Sequence, residues 1–134
     1  MTSLKGVKLG RLSLAAATCF NLDEYHGLSG DDPHSYARFM HEQLFAQVDC
    51  PPARRHIPRG DLPAAGMPAQ AAAYERAIAD AGGLDLGLLG IGRNGHIAFN
   101  EPGSGKDSRT RLVWLDAATR RDAARDFGGE AAVP

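Results

Sequence analysis

Short apolar runs alternate along this chain with stretches of helical periodicity, and this alternation constrains the fold more than any other feature. Three apolar runs are short enough for buried strands, at 14–22, 84–92 and 110–116. Three stretches repeat apolar residues at helical spacing, at 36–48, 69–83 and 117–127. Strands that alternate with helices are typical of an α/β domain whose sheet is mostly parallel and flanked by helices.

Local signals mark where the helices begin and end. Asp31 and Asp32 followed by Pro33 predict the start of the first helix, because a capping side chain and a proline suit a helix N-terminus. Gly82 and Gly83 predict the end of the second helix. The connection between these helices is rich in proline and is predicted to be a loop. Three large aromatic residues are expected in the core, namely Phe39, Phe45 and Trp114.

The composition fits one domain over residues 1–134. The chain is 43% hydrophobic, and its 15 basic and 16 acidic residues leave a net charge of −1. A balance so close to zero provides no extended positive field for a nucleic acid. Cys19 and Cys50 lack C-x-x-C spacing, and no apolar run is long enough to span a membrane. We therefore expect a reduced, cytoplasmic protein without a nucleic-acid or membrane partner.

Polar residues follow two of the predicted strands. Asp23 ends the first strand, and the glycine-rich segment 92–101 follows the second. In open parallel sheets, ligands bind outside the carboxyl ends of the strands. Both groups are therefore expected to converge on one crevice.

One interpretation of this crevice is a dinucleotide site. Gly90, Gly92 and Gly95 match the G-x-G-x-x-G pattern. Asp116 follows about twenty residues later, where an acidic side chain would bind a ribose. Such a site, however, needs a helix that begins at the third glycine, so that its N–H groups meet the pyrophosphate. Residues 96–109 contain a proline and two glycines that disfavour this helix, so a dinucleotide site is not expected here.

Two longer motifs carry a resemblance to a known enzyme family. The stretches FNLDEYHGLSGDDPHSYARFM at 20–40 and LGIGRNGHIAFNEPGS at 89–104 are similar to the glucosamine-6-phosphate deaminase family, in the same order. The likeness continues through SRTRL and ATRRDAARDF to the last residues. It implies a Rossmann-like fold and the conversion of glucosamine 6-phosphate and water to fructose 6-phosphate and ammonia, in amino-sugar catabolism. It also implies a small-molecule sugar phosphate as partner, an enzyme of hydrolase or isomerase type, and neither cofactor nor metal.

The resemblance assigns four catalytic positions. Asp23 matches the base that removes the proton on C2. His96 matches the residue that opens the sugar ring, a task that suits a side chain which titrates near neutral pH. Glu101 is implied to orient the imidazole or to stabilise its charge. Asn94 stands where many members carry an aspartate, and its amide can form hydrogen bonds but cannot accept a proton.

Three further residues are implied to bind the substrate. Arg125 matches an arginine that binds phosphate, and a guanidinium group provides two parallel donors for phosphate oxygens. Gly90 and Gly92 would let the backbone approach the sugar closely.

Other parts of the family pattern have no counterpart in this chain. The glycine- and threonine-rich phosphate loop, a phosphate-binding lysine and the last strands and helices are not matched. The chain is therefore expected to be the central part of a domain, truncated at both ends. Loss of flanking strands leaves unpaired edges in a parallel sheet. We expect the isolated chain to be marginally stable or to self-associate, which leaves a homo-oligomer open, and whether it is active also stays open.

Two other functions stay open at this point. A 6-phosphogluconolactonase-like hydrolase would share the glycine loop and its histidine, although Tyr25 and the FNEP sequence at 99–102 favour the deaminase. A catalytically silent fragment or a sugar-phosphate-binding module would explain the missing phosphate loop. No metal site is expected, because the remaining histidines lack metal-ligand spacing with cysteine or acidic partners. These are His26, His34, His41 and His56.

Overall fold

The computed structural model of the chain describes residues 12–134, so the first eleven residues of the predicted domain lie outside the described residues. The strands and α-helices follow the order β1 (Cys19–Phe20), α1 (Tyr36–Gln43), β2 (Arg55–His56), α2 (Met67–Asp80) and α3 (Ala117–Phe127). Short 3₁₀ turns lie at Phe45–Gln47, Pro52–Arg54, Ala64–Gly66 and Glu130–Ala132. The two strands run parallel, which confirms the α/β class predicted from the sequence.

The sheet formed by the described residues joins distant parts of the chain. Its register pairs Cys19 with Arg55 and Phe20 with His56. β1 therefore covers only the end of the strand predicted at 14–22. β2 arises in the proline-rich connection, where the sequence predicts a loop. Prolines on both sides of β2 limit its length, because proline has no N–H for a ladder.

The strands predicted at 84–92 and 110–116 do not form within the described residues. Both segments lie outside the sheet, and most of their large apolar side chains are exposed. Leu86 is 79%, Leu88 88% and Trp114 91% exposed. A strand needs a neighbouring backbone to complete its hydrogen bonds. Within residues 12–134, no other strand forms a hydrogen-bonded ladder with either segment. The prediction was wrong because an apolar run indicates what can be buried and does not reveal what is present to bury it.

α1 begins later than predicted. Its N-cap is Ser35, whose hydroxyl oxygen accepts a hydrogen bond from the Ala37 N–H at 3.0 Å. Asp32, predicted to lie at the helix start, instead accepts from the His34 N–H at 2.8 Å and stabilises the preceding turn.

The other two helices lie close to their predicted positions. α2 has Pro68 in its first turn and ends before Gly82 and Gly83, which both have positive φ. α3 spans its predicted stretch. The Asp116 carboxylate caps it by accepting from the Ala118 N–H at 2.7 Å. Both predictions are confirmed.

The core is small and gathers around two tyrosines. The Tyr74 hydroxyl group on α2 lies 2.8 Å from the carbonyl oxygen of Asn21 and 2.9 Å from that of His56, so it ties α2 to the ends of both strands. Tyr25 is 6% exposed and follows β1. Its ring contacts three others, with centroid distances of 5.2 Å to Tyr36 and 4.9 Å to Phe99 and Phe127. Tyr25 therefore packs α1, α3 and the loop at residue 99 against the end of β1.

Of the three aromatic residues predicted in the core, Phe45 alone is buried. It is 4% exposed, and the Arg55 guanidinium lies 5.0 Å from its ring centroid. Phe39 is 56% exposed, and its prediction was wrong, as was that for Trp114. α1 contributes no fully buried side chain, so its apolar face is covered only in part. Within residues 12–134, every helix falls short of the length and apolar character that a membrane crossing requires.

Candidate active site

Asp23 lies just beyond β1 and lines a cavity of about 410 Å³. Burial raises the pKa of the Asp23 carboxyl group to about 6. The charge of Glu24 acts in the same direction, whereas the charge of nearby His96 opposes it. A carboxylate with a pKa nearer to neutrality is a stronger base than an ordinary one. Asp23 can therefore accept a proton from a bound molecule at a pH where most of it is ionised.

Glu24, the next residue, has a structural task. Its carboxylate accepts hydrogen bonds from the Ser35 hydroxyl group at 2.8 Å and from the N–H groups of Tyr36 and Ala37 at 3.0 and 2.9 Å. These donors lie at the N-terminus of α1, where the helix dipole favours an anion. Glu24 thus fixes the end of β1 against α1 and holds Asp23 at the cavity wall.

The glycine-rich loop after residue 91 is a tight turn that closes on itself. The Gly92 N–H donates to the His96 carbonyl oxygen at 2.9 Å, and the Gly95 N–H donates to the Gly92 carbonyl oxygen at the same distance. Gly95 has a φ of +90°, a conformation that favours glycine. The turn therefore fixes the backbone from which the His96 side chain projects.

Gly92 is required by the side chain of His96. A Cβ atom on residue 92 would lie 2.5 Å from Nδ1 of the imidazole and closer still to Cε1 and Nε2. The ring therefore rests directly on the Gly92 backbone. At Gly90, by contrast, an added Cβ would meet no atom within 4 Å. The close approach at Gly92 is made by this ring, and the approach of a sugar to either glycine stays a prediction.

Asn94, His96, Glu101 and Thr119 form one hydrogen-bonded group, which we call the His96 cluster. The His96 Nδ1 atom lies 2.8 Å from Asn94 Oδ1, 3.0 Å from the Thr119 hydroxyl oxygen and 3.7 Å from Glu101 Oε2. The side chains of His96 and Glu101 are 19% and 12% exposed. The structure therefore brings together the three members that the resemblance implies. It adds Thr119, which the sequence did not indicate.

The Asn94 amide determines where the His96 ring carries its proton. The amide nitrogen donates to Glu101 Oε2 at 2.7 Å, while the amide oxygen accepts from the His96 backbone N–H at 3.1 Å. If the amide were flipped, its nitrogen would face the His96 N–H and its oxygen would face Glu101 Oε2, so neither hydrogen bond could form. The oxygen is therefore the atom that faces Nδ1, and Nδ1 must carry a proton to donate to it. Nε2 of the neutral ring is then unprotonated and can accept a proton.

Glu101 is the anion of the cluster. Burial raises the pKa of its carboxyl group. The Thr119 hydroxyl group, hydrogen bonds from the Asn94 amide and the Asp116 N–H, and the charge of His96 together outweigh burial and bring the pKa below its usual value. Asp116 also caps α3, so the residue that begins this helix holds the Glu101 carboxylate at 3.1 Å. Glu101 therefore stays ionised and can stabilise a positive charge on the ring.

Arg125 lies apart from the cavity. Its side chain is 92% exposed, with Nε 3.5 Å from the Asp126 carboxylate. The arginines that line the cavity are Arg59, Arg109 and Arg111. Phosphate binding by Arg125 therefore stays a prediction.

Two sets of hydrogen bonds fix the segment at 109–111, which forms another part of the cavity wall. Glu75 on α2 accepts from the Thr110 N–H and hydroxyl groups, both at 2.7 Å. Arg111 donates to Asn100 Oδ1 at 3.1 Å and to the Ser104 hydroxyl oxygen at 2.9 Å. These contacts join the segment at 109–111 to α2 and to the loop after the His96 cluster. Within residues 12–134, no group of three or more His, Cys, Asp or Glu side chains is arranged to hold a metal ion.

The chain is similar to one family along almost its whole length. Residues 7–125 match a family model described as glucosamine-6-phosphate isomerases/6-phosphogluconolactonase. Over 121 residues, the chain is 55% identical to the glucosamine-6-phosphate deaminase of Shewanella woodyi and 50% identical to glucosamine-6-phosphate deaminase 2 of Bacillus subtilis.

These two alignments cover 90% of this chain but 45% and 48% of the relatives, so the chain spans about half the length of the curated relatives it matches. A solved structure of a monomeric glucosamine-6-phosphate deaminase matches with a TM-score of 0.92 and 42% identity. That match covers 99% of this chain and 54% of the other.

Proposed function

Because the chain belongs to the family of glucosamine-6-phosphate isomerases and 6-phosphogluconolactonases, we propose that its cavity binds glucosamine 6-phosphate and converts it, with water, to fructose 6-phosphate and ammonia. The observation that carries this proposal is the raised pKa of the Asp23 carboxyl group at the cavity wall, which the charge of His96, an imidazole oriented by Asn94, partly opposes. Relatives named glucosamine-6-phosphate deaminase support the choice of substrate.

Ring opening is the first step of the proposed reaction. The bond between C1 and the ring oxygen breaks, the C1 hydroxyl group loses its proton, and the ring oxygen gains one. The unprotonated Nε2 of His96 accepts the first proton, and the imidazolium then donates to the ring oxygen. The Glu101 carboxylate stabilises the imidazolium during this exchange.

Isomerisation and loss of the amine follow. Asp23 removes the C2 proton and the electron pair shifts towards C1 while the carbonyl oxygen gains a proton from water. The Asp23 carboxyl group then returns its proton to C1, which leaves a protonated imine at C2. Water adds to the imine and ammonia leaves, so C2 becomes the ketone of the product. An isomerisation therefore precedes the hydrolytic loss of ammonia. Positioned proton transfer of this kind contributes roughly 10²- to 10⁴-fold to a rate.

Further parts of the proposal depend on the motifs alone. Arg125 is the proposed phosphate ligand because of its place in the ATRRDAARDF stretch. The reaction is proposed to take place in the cytoplasm, as a step of amino-sugar catabolism.

A sugar-phosphate-binding module without turnover is the second candidate function. One observation favours it: Arg125, the proposed phosphate ligand, lies away from the cavity, so the described residues do not gather all the proposed groups around Asp23. Such a module would bind glucosamine 6-phosphate and release no ammonia.

Ammonia release from glucosamine 6-phosphate by the purified 134-residue chain tests the proposal. Asp23→Asn keeps the size of the side chain and removes the base, so we expect the rate to fall by at least about 10²-fold. Asp85→Asn makes the same change at an exposed position outside the cavity and should retain the rate.

Three results would contradict the deaminase. The first is an unchanged rate in Asp23→Asn. The second is binding detected by calorimetry with no ammonia release, which favours the module. The third is hydrolysis of 6-phosphogluconolactone without ammonia release from the amino sugar, which favours a lactonase.

A further inference from the structure

Thr119 places a buried hydroxyl group inside the His96 cluster. It is the third residue of α3 and is 6% exposed. Its hydroxyl oxygen lies 3.0 Å from Nδ1 of His96. Because the backbone of residue 119 belongs to a helix, the position of this hydroxyl group is fixed more firmly than that of a group on a loop.

The hydrogen bonds of this hydroxyl group can be counted. Nδ1 of His96 carries a proton because it faces Asn94 Oδ1, and the Thr119 oxygen is close enough to share that proton as a second acceptor. The Thr119 hydroxyl group also helps to lower the pKa of the neighbouring Glu101 carboxyl group. It therefore contacts the imidazole directly and favours the ionised form of the carboxylate.

We propose that Thr119 is a positioning residue that holds the His96 ring in the tautomer with its proton on Nδ1. Asn94 and Thr119 approach the same ring nitrogen from two different elements, the glycine-rich loop and α3. Loss of the Thr119 hydroxyl group leaves the ring proton with the Asn94 oxygen as its one acceptor. Its effect on turnover rests on the proposed deaminase function, whereas its effect on the tautomer does not.

Three variants separate this role from simple packing. Thr119→Val replaces the hydroxyl group by a methyl group of similar size, and Thr119→Ser keeps the hydroxyl group. Thr18→Val makes the same change at an exposed threonine outside the cluster. The ¹⁵N chemical shifts of the His96 ring, assigned with a His96→Gln variant, report which nitrogen carries the proton.

The tautomer is measured at a pH of about 8, above the usual pKa of histidine. We expect the wild-type, Thr119→Ser and Thr18→Val chains to show a protonated Nδ1 and an unprotonated Nε2. In Thr119→Val the minor tautomer should increase about tenfold relative to the major one, as expected from the loss of one hydrogen bond. Unchanged ring shifts in Thr119→Val would overturn the proposal.

Thr119→Ala controls for steric effects of the valine side chain in Thr119→Val. It removes the same hydroxyl group and should show the same change of tautomer. Loss of cooperative unfolding in both variants would assign Thr119 a purely structural role and would overturn the proposal as well.

Kinetics of ammonia release provide the second arm. We expect Thr119→Val to lower kcat about tenfold with little change in KM, and Thr119→Ser to recover most of that loss. An equal loss in the serine and valine variants would contradict a role for the hydroxyl group. If the wild-type chain releases no ammonia, the proposed function fails, and the ring shifts still decide the role of Thr119.

Discussion

Replacement of Gly92 by alanine is expected to disable the His96 cluster and to leave the fold in place. The added Cβ would lie 2.5 Å from Nδ1 of His96 and closer still to two other ring atoms. Non-bonded carbon atoms are in favourable contact at about 3.5 Å or more, so the ring must retreat by roughly 1 Å. Hydrogen bonds of 2.8 Å to Asn94 and 3.0 Å to Thr119 cannot keep their geometry after such a shift.

Two magnitudes follow from this displacement. Loss of two hydrogen bonds from the cluster lowers the free energy of unfolding by about 1–3 kcal/mol. A misplacement of about 1 Å in a catalytic group can lower a rate by about 10²-fold. Residue 92 is not among the glycines with positive φ, so alanine adds no backbone strain there. The loss of rate is therefore expected to come from the ring alone.

Gly87→Ala is the matched control, because residue 87 is exposed, does not line the cavity, and its added Cβ would come no closer than 3.9 Å to another atom. Ammonia release, thermal unfolding and the ¹⁵N shifts of the His96 ring are compared between the two variants. Gly92→Ala should lose turnover and show altered ring shifts, while Gly87→Ala should resemble the wild-type chain. Wild-type turnover and ring shifts in Gly92→Ala, or an equal loss in Gly87→Ala, would refute the reasoning.

Four further predictions concern charge and exposed surface. The Asp23 pKa of about 6 predicts that turnover falls as the pH drops through that value, since a protonated carboxyl group cannot act as a base; a pH–rate profile without this acid limb would contradict it. Folding raises this pKa from 3.8, so the folded state binds the proton more tightly than the unfolded state does. Above about pH 6 the ionised Asp23 carboxylate therefore destabilises the folded state. This destabilisation fades as the pH falls towards 3.8. Asp23→Asn should therefore raise the thermal midpoint at neutral pH while it abolishes turnover, and a lowered midpoint would contradict this. Glu24→Ala removes the acceptor for three donors around the start of α1 and should lower the free energy of unfolding by about 2 kcal/mol in urea titrations, whereas Glu130→Ala, at an exposed position, should change it little. The exposed Leu86 and Leu88 predict self-association that increases with concentration in sedimentation experiments and weakens in Leu88→Lys; a monomer at every concentration would contradict it.

The helices were predictable because their signals are local. α3 follows from the Asp116 cap and from periodicity within its own residues. The start of α1 was harder to predict from the sequence, because Asp32 and Ser35 can both cap a helix. Glu24 decides between them, since its carboxylate reaches the Ser35 hydroxyl group from a residue far from the cap in sequence.

A strand forms only when another segment pairs with it, and a single sequence does not show which segments pair. β1 pairs with β2, which lies in a proline-rich stretch without an apolar run. Conversely, the apolar run at 84–92 has a strand-like composition, yet no described backbone pairs with it as a ladder. Composition alone cannot separate these two cases.

The candidate site was predicted through its motifs, and its inner contacts were not. Asp23 and Glu24 are adjacent carboxylates that both line the cavity, and only the placement of α1 shows that Glu24 is bound to the start of that helix. Thr119 gives no signal in the sequence, because a threonine among alanines and arginines is compatible with any face of a helix. Its role becomes visible only when α3 is packed beside the glycine-rich loop.

Trp114 is the single tryptophan of the chain, and it is 91% exposed. Its indole therefore emits at the long wavelength typical of a ring in water even while the chain is folded, and unfolding should change that emission little. A polypeptide that covers this surface, whether a second copy or another chain, would move the emission to shorter wavelength. Intrinsic tryptophan fluorescence of this protein should thus report association, and it should change little on unfolding.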